Sequence, residues 1–193
     1  MRGRGVIIKP HDFGALQKGV KVMKISGKCL CGGVCFVADT VPEVGMCHCK
    51  MCRRWGGGLP LAGLYGKVSL NSDETLTWWR SSPWGERGFC RECGSSLFWR
   101  SPGDERWVLS VGALDDESGL KTARHIYIDE KSSFYDLSDD APQSTGVAFA
   151  AATMRTLGAR FGEAFLANAL TQMRSHSGDA FADKVEQLLN AGK

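Results

Sequence analysis

The chain has 193 residues, 43% hydrophobic and 23% charged, with a formal net charge of +3. That size suits one ordinary domain with a modest appendage, and the composition excludes collagen-like, low-complexity and disordered classes. No apolar run reaches the roughly 18 residues that span a bilayer, so no membrane partner is expected. So small a net charge calls for no nucleic-acid partner either.

Residues 1–22 set five basic residues, Arg2, Arg4, Lys9, Lys18 and Lys21, against Asp12, without a clear apolar period. They read as a solvated, loosely ordered extension, with Met23 a candidate start. They contain no apolar segment of secretory length, so a cytoplasmic location is expected.

From Met23 to about Asp140 the chain has the texture of a β protein. Short runs rich in β-branched and aromatic residues alternate with Gly, Pro and Ser punctuation. Strands are predicted at 21–26, 33–38, 61–70, 75–80, 96–100, 106–112 and 124–129. No helical pattern of 10–15 residues separates them, which argues against a parallel α/β sheet. The glycines at 56–58 with Pro60, and Ser81-Ser82-Pro83, are predicted loops.

After Pro142 the period changes. Met154, Leu157, Phe161, Phe165, Leu166, Leu170 and Met173 predict one amphipathic helix of roughly 25 residues. Gly178 interrupts it, and Phe181, Val185, Leu188 and Leu189 predict a second helix with Asp179 as N-cap. Two such helices cannot bury both apolar stripes alone. They are expected to dock on the β domain or on an identical subunit, making a homo-oligomer. A lid or partner-binding role is the sharper alternative. The chain thus divides into a basic extension (1–22), a β domain (23–142) and a helical appendage (143–193).

The chemistry lies in eight cysteines, which in a reducing compartment point to metal or thiol chemistry rather than to disulfides. Seven fall in three knots: Cys29-x-Cys31, Cys47-x-Cys49-x-x-Cys52 and Cys90-x-x-Cys93. A disulfide between such close neighbours would be strained. A closed structural zinc site takes four ligands, and a catalytic one takes three and keeps an open position. Cys29, Cys31, Cys90 and Cys93 can make the closed site, which leaves Cys47, Cys49 and Cys52 as an open one. The other partition, 29/31 with 47/49/52, strands 90/93 and is less economical. Arg53 and Arg54 follow the triad and would lower a thiol pKa or attract an anionic substrate. His48 is expected to face solvent or hydrogen-bond the backbone, His125 to be structural, and Cys35 to be a small buried apolar residue. The tryptophans at 78, 79, 84, 99 and 107 are expected as sheet aromatics, with Trp84 in a loop.

Three stretches, Cys29-Leu30-Cys31-Gly32-Gly33-Val34, Cys47-His48-Cys49-Lys50-Met51-Cys52-Arg53-Arg54 and Gly88-Phe89-Cys90-Arg91-Glu92-Cys93-Gly94, resemble the glutathione-dependent formaldehyde-activating enzyme family. Gly112-Ala113-Leu114-Asp115-Asp116, His125-Ile126-Tyr127 and Asp139-Asp140-Ala141-Pro142 are similar to its second half. The resemblance covers about residues 23–142 and implies an all-β, tent-like fold of stacked antiparallel sheets. It also implies a structural zinc on Cys29, Cys31, Cys90 and Cys93, and a labile catalytic zinc on Cys47, Cys49 and Cys52. The implied reaction is that of a carbon–sulfur lyase run in synthesis. A thiol such as glutathione adds to formaldehyde or another small aldehyde to give an S-hydroxyalkyl adduct, with Arg53 and Arg54 holding a glutathione carboxylate. Two rival readings remain. One is a non-catalytic, zinc-stabilised binding module. The other is thiol redox chemistry at the triad, ranked lower because no thioredoxin-like βαβ pattern surrounds it.

Overall fold

A computed structural model describes residues 22–101 and 103–191 of the chain. The basic extension predicted for 1–22 lies, apart from Val22, outside the described residues. The protein is mainly β, with ten strands in one sheet and three helices at the C-terminal end.

The strands are β1 (Met23–Lys28), β2 (Cys35–Thr40), β3 (Glu43–Cys47), β4 (Leu61–Ser72), β5 (Leu76–Ser82), β6 (Gly85–Cys90), β7 (Ser96–Arg100), β8 (Arg106–Ser110), β9 (Lys121–Ile126) and β10 (Gln143–Ser144). The twelve-residue β4 is the hub. One of its edges pairs with β3 through Leu61–Gly63 and then with β2 through Gly66–Ser72. Its other edge pairs with β8, and the sheet continues through β7 and β6 to β5. All of these pairings are antiparallel, as expected. On the far side of β3, however, β9 and then β10 run parallel. The sheet is therefore mixed, and those two parallel contacts connect segments far apart in sequence.

Two strands carry cysteines but lack an apolar run, and local pattern does not predict them. They are β3, with Gly45 and Glu43, and β6, with the sequence Gly-Glu-Arg-Gly-Phe-Cys. Both are specified by neighbours on both edges. The core beneath the sheet contains Phe36, Leu64, Leu97, Phe98 and Leu109. Each such fully buried side chain contributes roughly 1.5–3 kcal/mol. Trp78 belongs to this face, packing against Phe98 and edge-on to Trp107 at 5.1 Å.

The helical part differs from the prediction. It has three helices, α2 (Gly146–Phe161), α3 (Glu163–Ser177) and α4 (Asp179–Asn190); the six-residue α1 is described below. The apolar period runs on unbroken from Met154 to Met173, but the backbone does not. Gly162 sits at φ +85°, a left-handed value that ends α2 and turns the chain into α3. The N-cap of α4 is Gly178, and Asp179 is its first helical residue. With three helices the stripes meet one another, and Ala150, Ala151, Met154, Met173, Ala182 and Val185 form a second core. Arg174 on α3 bridges to Glu186 of α4 at 2.6 Å and also to Asp183. The group is tied to the sheet side by Gly146 N donating to Asp129 Oδ1 at 2.7 Å and by Tyr127 against Phe149. Trp84, in the β5–β6 turn, meets His176 edge-on at 5.0 Å. Among the described residues no helix is long and apolar enough to cross a membrane.

Candidate metal centre

Cys29, just after β1, and Cys90, the last residue of β6, are buried; Cys31 and Cys93 reach the surface. The four sulfurs lie within 4.8 Å of one another. Cys29 Sγ is 3.5 Å from Cys31 Sγ, which is 3.6 Å from Cys90 Sγ. A tetrahedron with metal–sulfur bonds of about 2.3 Å has sulfurs about 3.8 Å apart, so the donor set fits such an ion. Each knuckle aims polar groups at its sulfurs. The Val34 amide donates to Cys29 Sγ at 3.2 Å, and Gly94, at φ +74°, lets its own amide bond the Cys90 carbonyl at 2.9 Å. Ser95 joins the two knuckles, its Oγ accepting from Leu30 N and lying 3.2 Å from Cys93 Sγ. The Ser95 hydroxyl and then its amide push the Cys93 thiol down to about 5. Thr75 Oγ1, 3.2 Å from Cys90 Sγ, lowers that thiol too.

The second group is built on one short stretch. Cys47 ends β3, Cys49 N-caps α1 (Lys50–Trp55), and Cys52 lies one turn into it. Cys49 Sγ accepts from Cys52 N at 3.4 Å, and the three sulfurs lie within 4.8 Å of one another. No fourth His, Cys, Asp or Glu among the described residues joins that set. The triad sulfurs are only partly screened from water or buried: Cys49 and Cys52 lie inside, and Cys47 is half-buried. The Cys52 thiol is pushed down to about 3 by hydrogen bonds from Cys47 and Cys49 and then by Arg87. Cys47 moves the other way, because the neighbouring sulfurs and burial both favour its neutral thiol. Three thiols so crowded hold little charge alone, and a divalent cation would relieve that.

His48 does not join the sulfurs. Its backbone continues the β3–β9 pairing by donating to Ile126 O, which sends its fully buried ring beneath the sheet edge. There Nε2 lies 2.8 Å from His125 Nδ1, and Nδ1 lies 2.6 Å from Tyr135 Oη. His125 Nε2 in turn lies 3.0 Å from Asp139 Oδ1. Asp139 is held below the usual carboxylate range by the Ala141 amide and by His125, so it accepts from His125 Nε2–H. With a neutral His125 ring, its Nδ1 accepts from His48 Nε2–H, and His48 Nδ1 accepts the tyrosine proton. Burial, followed by the nearby His125, Lys131 and Arg53, pushes His48 down to about 4, which keeps that ring neutral.

Beneath α1 lies a residue that motif reading does not flag. In the β5–β6–β7 register Trp79, Arg87 and Trp99 form one cross-strand row. Trp55 of α1 covers it, stacked on Trp79 at 5.9 Å and 5.5 Å from the Arg87 guanidinium. Arg87 Nη2 is 3.5 Å from Cys52 Sγ. The opposite face of β6 carries Gly88 into the core, and Cys90 at its end belongs to the closed group. Successive residues of a strand point to opposite faces, so this one strand serves both cysteine groups.

The model of the glutathione-dependent formaldehyde-activating enzyme family matches residues 24–130, more than half of the chain. The chain belongs to that family. An uncharacterized lyase of Schizosaccharomyces pombe is 26% identical over 122 residues, which are 62% of this chain and 89% of the relative. The crystal structure of a Rhodobacter sphaeroides protein, a structural genomics target, covers 62% of this chain and all of its own at 20% identity, with a TM-score of 0.43.

Of the residues singled out from sequence, the structure gathers the seven clustered cysteines into two groups that can each hold a metal ion. Arg53 is half-buried, its Nε donating to His48 O at 3.0 Å, while Arg54 is exposed. Cys35, expected to be buried, is half-exposed at the β2 end, where its thiol donates to Gly32 O. A lone buried Arg and a His between cysteines have no sequence period; His48 is marked in the sequence only by its place inside the Cys47–Cys52 knot.

Proposed function

We propose that this protein adds a thiol such as glutathione to formaldehyde or another small aldehyde at a zinc ion held by Cys47, Cys49 and Cys52. Cys29, Cys31, Cys90 and Cys93 would hold a second, structural zinc. In that reading residues 23–142 carry the chemistry, 143–193 form an appendage and 1–22 a basic extension, in a cytoplasmic enzyme. The observation that carries the proposal is the contrast between a four-sulfur set and a three-sulfur set without a fourth donor among the described residues. It is supported by membership of a family named for glutathione and formaldehyde and by a relative named as a lyase.

The ion would supply a Lewis acid and an open position where a thiol becomes a thiolate. The chain supplies the rest. Cys47, Cys49 and Cys52, fixed by a strand end and a helix cap, would hold the ion. Arg54, exposed at the end of α1, and the outer nitrogens of Arg53 offer cationic partners for a glutathione carboxylate. Holding thiol and aldehyde together raises their effective concentration. The balance is simple: a carbon–sulfur bond forms, the carbonyl π pair moves to oxygen, and the proton lost by sulfur ends on that oxygen.

The test is hemithioacetal formation by zinc-loaded protein with glutathione and several small aldehydes, alongside zinc stoichiometry before and after mild chelation. Acceleration over buffer that is lost when one zinc is stripped supports the proposal. One tight zinc, no thiol binding and no acceleration would leave the binding module instead.

A further inference from the structure

We propose that Arg87 is the fixed counter-charge of the Cys47–Cys49–Cys52 site, a positioning residue that lets the site accept an anionic thiolate as its fourth ligand. This rests on the reading that the triad holds a divalent metal.

The argument begins with where the charge sits. Arg87 is 3% exposed, roofed by Trp55 and flanked in register by Trp79 and Trp99. A guanidinium is permanently charged, and a buried charge without a partner is strongly disfavoured. Carboxylates bridge the nearby arginines, Arg80 and Arg100 both reaching Glu86, but no carboxylate among the described residues bridges Arg87. Its polar contact is a sulfur, Cys52 Sγ at 3.5 Å, and its Nη1 is buried without a hydrogen-bond partner. The Trp55 ring offsets part of that charge, and anionic sulfurs beside the guanidinium are the groups placed to offset the rest.

Charge counting then gives the consequence. Three thiolates and a divalent ion sum to one negative charge, and a fourth thiolate makes two. With Arg87 beside them the sums become zero and one negative charge. The low-dielectric surroundings make that difference matter. The guanidinium should therefore favour a thiolate in the open position over a neutral ligand. It acts through Cys52 and the field of the site, and Arg53 and Arg54, outside on α1, cannot replace it.

The experiment uses the full chain loaded with cobalt(II), whose thiolate bands report each site. Glutathione and, separately, neutral imidazole are titrated into wild type, Arg87→Met and Arg87→Lys. The four-thiolate spectrum of the closed group reports folding in each variant. Arg87→Met is expected to weaken glutathione thiolate binding roughly 10–100-fold, the usual reach of an outer-shell partner, while imidazole binding holds. Arg87→Lys, which keeps charge without the fork, is expected to retain most of the preference for thiolate. Equal preference in Arg87→Met and wild type would overturn the proposal. If Arg87→Met does not fold, Arg87→Lys decides, and loss of the thiolate preference there would overturn it. A wild type that takes up one cobalt only would remove the metal reading of the triad itself, and the two failures are thereby distinct.

Discussion

His48 Nε2 and His125 Nδ1 lie 2.8 Å apart in the protein interior, joining the residue between two triad cysteines to the parallel strand β9. Both rings are at most 1% exposed, and the chain of donors runs from Tyr135 through them to Asp139 at the surface. The triad is thus braced from beneath by a polar string in which each ring nitrogen has a partner.

Cutting that string should be costly. His125→Leu leaves His48 Nε2 buried without its hydrogen-bond partner and is expected to destabilise the fold by about 1–3 kcal/mol. It should also loosen a metal at the triad before one at the closed group, because the turn that carries Cys47 and Cys49 loses its support. Denaturant unfolding with stepwise chelation measures both. Wild-type stability together with an unchanged order of metal release would show that the two rings merely sit together.

The two cysteine groups should fail differently. Cys90→Ala removes a fully buried thiol at the end of β6, and since a closed metal site contributes folding energy directly, this variant should not accumulate as folded protein. Cys49→Ala removes the thiol that caps α1 and one of the three triad sulfurs. It should fold, lose one metal equivalent and lose activity. Circular dichroism with metal analysis of both variants gives the answer, and an active Cys49→Ala would count against the triad.

Alkaline pH offers a separate check. The chain has three tyrosines, and burial raises each above the ordinary value of 10.0, Tyr65 with help from Asp104 Oδ2 at 2.5 Å. A raised folded-state pKa favours the neutral phenol, so its stabilisation is complete below the unfolded-state value and is lost as pH rises toward the folded-state one. Native protein should show tyrosinate absorbance only at higher pH than unfolded protein, and stability should fall above about pH 10. Tyr65→Phe should shrink that fall. Coincident titration of native and unfolded protein would contradict it.

The break between α2 and α3 rests on one residue. Gly162→Ala puts a Cβ at φ +85° and is expected to cost roughly 1–2 kcal/mol. It should act on the helical group, where Phe161 and Phe165 meet across the turn at 5.2 Å. Hydrogen exchange resolved along the chain would show faster opening of α2 and α3 with the sheet unaffected. A gain in stability would mean that the two helices can run on as one.

The sequence by itself determined what depends on local spacing. Cysteines two or three residues apart share one turn of backbone, so their grouping into knots needs no fold. The family motif around them, the alternation of seven strands and the helical period after Pro142 are local in the same sense. What tertiary structure alone decided involves partners far apart in the chain. Arg87 reaches Cys52 across 35 positions and His48 reaches His125 across 77, and no periodicity records such pairs. Strands β3 and β6 lack apolar runs because hydrogen bonds from both edges hold them, so the elements that deliver Cys47 and Cys90 emerged only in the sheet. The helical period likewise ran straight through Gly162, because side-chain spacing reports which face is apolar, while the backbone torsion that splits α2 from α3 is set by how three helices close around one core.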